Sequence, residues 1–115
     1  MASEAGALVA RFRSEQLAEA LVSAYDEALG RWPVPVTSMD VAGEYGTTRV
    51  HASGPAGEAP LQLLHGGGCP SPIWYANAGV LAQSRRVYAV DRIGDAGMSV
   101  AAGQPVRRAD DLIGW

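Results

Sequence analysis

The sequence has little of what several large classes of protein require. It contains a single cysteine among 115 residues, which excludes an internal disulfide and is typical of a reducing compartment. No apolar run approaches the roughly 20 residues that a membrane span needs, and the N-terminal stretch lacks the hydrophobic region of a signal peptide. We therefore expect a cytoplasmic protein that does not bind a membrane.

Basic charge is also scarce. Lysine is absent, and 9 arginines stand against 12 acidic residues, which gives a formal net charge of -3. A chain with this balance has no basic face for a phosphate backbone, so we expect no nucleic-acid partner. The two histidines and one cysteine lack the spacing of metal ligands, and we expect no metal.

The first part of the chain has the pattern of a helix. Apolar residues recur at helical spacing and predict a helix over Glu4–Leu29, with a stripe that includes Leu17 and Ala24. The prolines that follow forbid its continuation. We therefore assign residues 1–32 to an N-terminal helical extension and residues 33–115 to the main domain.

The middle of the chain changes from helical to β pattern. Two segments separated by glycines predict an antiparallel hairpin, and its second strand, Thr47–Ala52, places His51 on a solvated face. Leu61–Leu64 is a short apolar run of the kind buried on both faces of a parallel sheet.

A crossover unit follows. Ile73–Ala82 can form a helix with Pro72 at its first position, and the stretch RRVYAVD predicts a second buried strand that ends at Asp91. Strand, glycine loop, helix and strand form a right-handed crossover between parallel strands. The last stretch, RRADDLIGW, predicts the start of another helix. The fold class is therefore α/β.

Gly66–Gly68 stand between the first strand and the helix of this unit. Bare amides at the carboxyl end of a parallel strand, followed by a helix, form an anion site. One candidate anion is a dinucleotide phosphate, because Asp91 follows at about 20 positions, where a ribose-binding carboxylate is expected. Against it, Ser71 stands where that motif needs its third glycine. The other candidate is the oxyanion of acyl transfer, which fixed N–H donors stabilise.

Together these motifs resemble the N-terminal part of the α/β-hydrolase family. The runs LLHGGGCPSPIWY, YAVDRIGDAGMS and RRADDLIGW are similar to that family's strand ending in His-Gly, its helix, and its next strand ending in Asp. The resemblance covers about residues 33–115 and implies an incomplete α/β-hydrolase sheet. It also implies the strand order first, second, fourth, third. Leu61–Leu64 would then form an exposed edge through which copies of the chain could associate.

The resemblance implies roles for the glycine loop and its neighbours. Gly67 or Gly68 would supply the oxyanion-hole N–H, with Gly67 favoured and Cys69 as the next candidate. Cys69 and Trp74 would contact the substrate, Trp74 by lining the acyl pocket or else by capping the helix start. The substrate would be a small ester or related carbonyl compound, and no cofactor is implied.

The same resemblance makes His65 and Asp91 structural residues. His65 would hold the glycine loop, and Asp91 would bond the loop that follows its strand. No Gly-x-Ser-x-Gly pentapeptide occurs in the chain, and Ser99, the nearest approach to it, does not follow a strand. We therefore expect no nucleophile here, and an inactive chain that is part of a longer serine hydrolase. The open alternative is a non-enzymatic module that binds an anion or dinucleotide through Gly66–Gly68 and Asp91.

Overall fold

The computed structural model describes residues 13–115. Helices and strands alternate along most of this length. In chain order the elements are α1 (Glu15–Gly30), β1 (Thr37–Gly43), β2 (Gly46–Ser53), β3 (Leu61–Leu64), a 3₁₀ turn (Ser71–Trp74), α2 (Tyr75–Leu81), β4 (Val87–Val90), β5 (Val100–Ala101) and α3 (Ala109–Gly114).

Helix α1 starts later than its apolar pattern predicts. Ser14 caps it, since the Ser14 side chain accepts a hydrogen bond from the Leu17 amide at 3.2 Å. The part of the predicted helix before residue 13 lies outside the described residues. The buried face is also rotated from the predicted stripe, because Ala18 and Tyr25 are buried while Leu17 is 52% exposed.

The sheet has the predicted strand order, β1-β2-β4-β3. Strands β1 and β2 form the expected antiparallel hairpin, β2 pairs antiparallel with β4, and β3 pairs parallel with β4. The two-residue strand β5 pairs with the start of β2 and was not predicted, because so short a strand has no periodicity. Gly46 has φ of 129°, and a side chain there would clash with the carbonyl oxygen of Val100.

The connection from β3 to β4 holds two short helical pieces rather than the single predicted helix over Ile73–Ala82. The Ile73 amide donates to the Pro70 carbonyl at 3.2 Å, which tightens the first turn into a 3₁₀ conformation. Trp74, with ψ of 4°, separates that turn from α2. Pro72 is the second residue of the turn, which begins at Ser71, rather than the first helical residue as predicted.

The two faces of the sheet differ in how well they are covered. One face packs against α1 and α2 in a core of Trp32, Leu63, Ala78, Ala82, Val87 and Ala89. The opposite face borders a groove of about 480 Å³ that α3 closes on one side. Leu64 points into this groove and is 57% exposed, so the prediction that β3 is buried on both faces is wrong.

The Trp115 side chain ties the end of α3 to the sheet, because its Nε1 donates to Thr48 Oγ1 at 2.8 Å. In residues 13–115, none of the helices combines the length and apolarity that crossing a bilayer requires.

The difference between the two faces of β3 can be tested with a pair of substitutions. Leu63→Ala should lower the free energy of unfolding by about 2–4 kcal/mol, because it leaves a cavity in the core. Leu64→Ala should cost less than about 1 kcal/mol, because its side chain is 57% exposed. Urea denaturation of the two variants measures both values. Equal losses would contradict the one-sided core.

Candidate active site

The glycine loop lies at the carboxyl end of β3, beside the end of the parallel strand β4. Gly66, Gly67 and Gly68 are all exposed. A Cβ added to any of them would meet no atom within 4 Å, so the backbone borders open space. Gly68 has φ of 79°, a left-handed conformation that glycine adopts without steric cost. The loop is therefore accessible to a ligand.

The amides of this loop have different partners. The Gly68 amide donates to both carboxylate oxygens of Asp95, at 3.0 and 3.1 Å. The Gly66 carbonyl accepts from the Cys69 amide at 3.2 Å, which closes the loop on itself. Among residues 13–115, the Gly67 amide has no hydrogen-bond partner. Of the two sequence candidates, Gly67 is thus the one whose N–H remains open to a ligand.

Asp95 belongs to the loop after β4, and sequence reasoning did not single it out. It also accepts from the Ala96 amide at 2.8 Å and pairs with the Arg92 guanidinium at 3.0 Å. Burial raises the pKa of Asp95, but hydrogen bonds from the Ala96 and Gly68 amides, with the Arg92 charge, outweigh it and lower that pKa below its ordinary value. The glycine loop is therefore held by an ionised carboxylate.

His65 joins the glycine loop to the loop after β4. Its Nδ1 lies 2.7 Å from the Gly66 carbonyl oxygen, and its Nε2 lies 2.9 Å from the Arg92 amide. Because a carbonyl only accepts and an amide only donates, Nδ1 carries the proton and Nε2 accepts. Both ring nitrogens are thus occupied by backbone groups.

Cys69 and Trp74, predicted to contact substrate, lie on the exit side of the loop. Cys69 is half-buried and its thiol is free. Trp74 packs against the core between sheet and helices, and its buried Nε1 has no hydrogen-bond partner in the described part of the chain. Trp74 occupies the cap position of α2 without a side-chain cap bond. Trp74 is half-buried, and its ring packs against the edge of the core.

Asp91 is fully buried at the end of β4. Its Oδ1 accepts from the Ser71 amide at 2.8 Å, and its Oδ2 accepts from the Met98 amide at 2.8 Å and the Tyr25 hydroxyl at 2.6 Å. With 0% exposure, this carboxylate is closed to a ribose. The dinucleotide alternative therefore loses the acidic ligand on which it depended.

Ser99 is also fully buried and committed to structure. Its hydroxyl donates to the Asp91 carbonyl at 2.6 Å and accepts from the Arg49 amide at 2.9 Å. Ser99 therefore joins the loop after β4 to β2, and its oxygen does not face the open space at Gly67.

His51 was placed on a solvated face by the sequence, and this prediction is wrong. Its side chain is 0% exposed, with Nε2 2.5 Å from the Tyr25 hydroxyl and Nδ1 2.7 Å from the Ser38 hydroxyl. Alternation along β2 does not show which face is covered. Helix α1 covers the face of β2 that carries His51, and its Tyr25 bonds the His51 ring. Among the described residues, no group of His, Cys, Asp or Glu side chains could hold a metal ion.

No protein-family model matches the chain. Individual proteins do. The carboxylesterase YbfK of Bacillus subtilis is 40% identical over 87 residues, which are 76% of this chain and 29% of YbfK. The crystal structure of naproxen esterase from the same organism superposes with a TM-score of 0.70 at 39% identity, over 73% of this chain and 30% of that protein. The crystal structure of carboxylesterase CesB (YbfK) gives a TM-score of 0.70 at 38% identity, over the same shares.

The chain belongs to the α/β-hydrolase family. Similarity at this identity extends over about three quarters of the chain, and it is accompanied by structural similarity at a TM-score of 0.70. The prediction of an α/β fold of this family is confirmed. The α/β-hydrolase chain spans about 29% of the length of the curated relatives that it matches.

The burial of His51 leads to a pH dependence of stability. Burial lowers the pKa of His51 below its ordinary value, and the Asp91 charge opposes this only in part. Between that lowered pKa and about 6.5, the unfolded chain binds more protons at this site than the folded chain does. The free energy of unfolding should therefore fall below about pH 6.5, by at most about 1.4 kcal/mol per pH unit from this group.

Urea denaturation of the wild type and of His51→Gln from pH 7.5 to 5 measures this contribution. The variant should be less stable at pH 7.5 and should lose part of the wild-type slope below about pH 6.5. If the wild type and the variant have parallel pH profiles, His51 has the same pKa in the folded and unfolded chains, and the prediction is wrong.

Proposed function

We propose that this chain supplies the oxyanion-hole part of a serine carboxylesterase. The observation that carries the proposal is the Gly67 amide, which is exposed, borders open space and has no hydrogen-bond partner among residues 13–115. In ester hydrolysis, negative charge develops on the carbonyl oxygen as the nucleophile adds. A fixed N–H donor lowers the energy of that state more than the energy of the bound ester.

The rigidity of the loop supports this role. His65 and Asp95 hold the loop from the side of β4 through bonds to the Gly66 carbonyl and the Gly68 amide. A donor that is already oriented needs no reorganisation when the oxyanion forms. Because the Asp95 carboxylate occupies the Gly68 amide, we assign the oxyanion contact to Gly67 and a loop-holding role to Gly68.

The attacking group would come from sequence beyond these 115 residues. The chain has no Gly-x-Ser-x-Gly. The Ser99 hydroxyl is buried and makes hydrogen bonds with two backbone groups. His51 and His65 each use both ring nitrogens within the fold. A family oxyanion hole combines an N–H of this loop with the N–H after the nucleophile. We therefore propose that the isolated chain does not turn over an ester.

The substrate class follows from the relatives, two of which are carboxylesterases. We propose a small ester of a carboxylic acid as the substrate. Water then adds across the acyl carbon–oxygen bond, and a carboxylic acid and an alcohol leave.

A chimera tests the role of Gly67. The 87 matched residues of YbfK are replaced by this chain, and hydrolysis of a p-nitrophenyl ester is measured. Gly67→Pro removes the N–H and should lower kcat about 100- to 1,000-fold with little change in KM. Gly67→Ala keeps the N–H and meets no atom within 4 Å, so its kcat should stay within about tenfold of the parent chimera.

The isolated chain and its Ser99→Ala variant complete this experiment. Neither should hydrolyse the ester above the buffer rate. The proposal fails if Gly67→Pro keeps the kcat of the parent chimera, or if the isolated chain has an activity that Ser99→Ala removes.

We also propose that the isolated chain associates with itself through β3. This strand ends the sheet in the described part of the chain, and Leu64 on it is 57% exposed. An apolar edge strand with unpaired backbone groups pairs readily with a copy of itself.

Sedimentation equilibrium should therefore show dimers or larger species for the wild-type chain. Leu64→Lys should weaken association, since a charge on an edge strand opposes pairing. Val80→Lys is the matched control, because Val80 is 71% exposed and belongs to α2 rather than to a strand of the sheet. A monomeric wild-type chain would contradict the proposal.

A further inference from the structure

A chain of buried hydrogen bonds joins helix α1 to the end of β4. Ser38 on β1, His51 on β2, Tyr25 on α1 and Asp91 after β4 follow one another at 2.7, 2.5 and 2.6 Å. His51, Tyr25 and Asp91 are each at most 2% exposed. None of these contacts belongs to the open space at Gly67.

The geometry fixes the direction of each bond. The Asp91 carboxylate accepts, so the single hydroxyl proton of Tyr25 points to Asp91 Oδ2. The Tyr25 oxygen must then accept from His51 Nε2–H. Burial lowers the pKa of His51 and so favours the neutral ring, in which Nδ1 is unprotonated and accepts from the Ser38 hydroxyl. Every donor of the chain thus has one acceptor, and the donors point toward Asp91.

Asp91 connects this chain of hydrogen bonds to the exit of the glycine loop, through its bond with the Ser71 amide. In residues 69–73 the Cys69 and Ile73 amides bond within the loop, to Gly66 and Pro70. Pro70 and Pro72 have no N–H. The Ser71 amide is therefore the one backbone donor of this stretch that leaves it, and its acceptor is Asp91 Oδ1.

Two further contacts join the segment from α1 to Trp32 directly to the exit of the glycine loop. The Tyr25 and Ser71 hydroxyl oxygens are 3.5 Å apart, and the Trp32 Nε1 donates to the Pro72 carbonyl at 3.3 Å. The side chains of Tyr25 and Trp32 thus contact the loop exit directly, at the Ser71 hydroxyl and at the Pro72 carbonyl.

We propose that Tyr25 is a positioning residue for the glycine loop, which it orients through Asp91 and the Ser71 amide. Without the Tyr25 hydroxyl, Asp91 Oδ2 has one donor fewer and His51 Nε2–H has no acceptor in a site closed to water. The carboxylate then reorients, and the Ser71 bond lengthens. The role in catalysis rests on the proposed oxyanion contact of Gly67, whereas the effect on loop geometry does not.

Amide hydrogen exchange and ¹H–¹⁵N spectra of the isolated chain test the geometry. In Tyr25→Phe the Ser71 amide should exchange about tenfold faster or more, relative to the core amide of Ala89. The Gly67 and Gly68 resonances should move. Tyr88→Phe is the matched control, because Tyr88 lies on the groove face of β4 and should leave all of these amides unchanged.

A fall in overall stability would speed exchange at Ser71 and Ala89 equally. Equal acceleration, or unmoved Gly67 and Gly68 resonances, would overturn the proposal. If Tyr25→Phe does not fold, 3-fluorotyrosine at position 25 keeps the ring and the hydroxyl but makes the hydroxyl a stronger donor. The Ser71 resonance should then shift, and an unshifted resonance would overturn the proposal as well.

The YbfK chimera separates this inference from the proposed function. There, Tyr25→Phe should lower kcat about tenfold with KM unchanged, because an oxyanion contact acts only in the transition state, and Tyr88→Phe should change neither. If the amide results hold but Gly67→Pro keeps its kcat, the oxyanion assignment fails and the positioning of the loop stands. If Gly67→Pro lowers kcat but Tyr25→Phe leaves the exchange rate of the Ser71 amide unchanged, only the positioning proposal fails.

Discussion

The fold depends on one buried carboxylate. Asp91 is 0% exposed and accepts hydrogen bonds from three donors that lie 66, 20 and 7 positions away in the sequence. A buried carboxylate without such donors would be strongly destabilising. The helix, the turn after the glycine loop and the loop after β4 must therefore reach their native places together. The same atoms that satisfy this charge also fix the geometry around the candidate site.

Two carboxylates hold the backbone that follows Gly67. Asp95 binds the Gly68 amide inside the loop, and Asp91 binds the Ser71 amide at its exit. The Gly67 amide, directly before the first of these anchors, has no hydrogen-bond partner among residues 13–115. An amide held in this way binds a developing negative charge without first losing conformational freedom. In the proposed function, Gly68 would hold the loop while Gly67 would make the oxyanion contact, so the two glycines would have different roles.

Local patterns in the sequence predicted the parts of the fold that local physics decides. The short apolar run Leu61–Leu64 and the stretch RRVYAVD predicted the two parallel strands, and the glycines between them predicted an accessible loop. The resemblance to the α/β-hydrolase family supplied the strand order, which no periodicity contains. Of the candidate site, the resemblance favoured the Gly67 amide and kept Gly68 as its alternative.

Two features that the local pattern does not reveal each depend on a partner far away in the sequence. His51 alternates with its neighbours as a solvated strand residue would, and it is buried because Tyr25 and Ser38 bind both of its ring nitrogens. The Gly68 amide is occupied, unlike that of Gly67, because it donates to Asp95, 27 positions later. A period of 2 or 3.6 residues shows which residues share one face of a strand or helix, but it does not show which other element covers that face. Only the packing of α1 on the sheet decides whether a strand histidine meets water or a tyrosine. The buried polar contacts of this protein, including those from α1 to Asp91 and to the exit of the glycine loop, therefore follow from its tertiary structure and not from local sequence patterns.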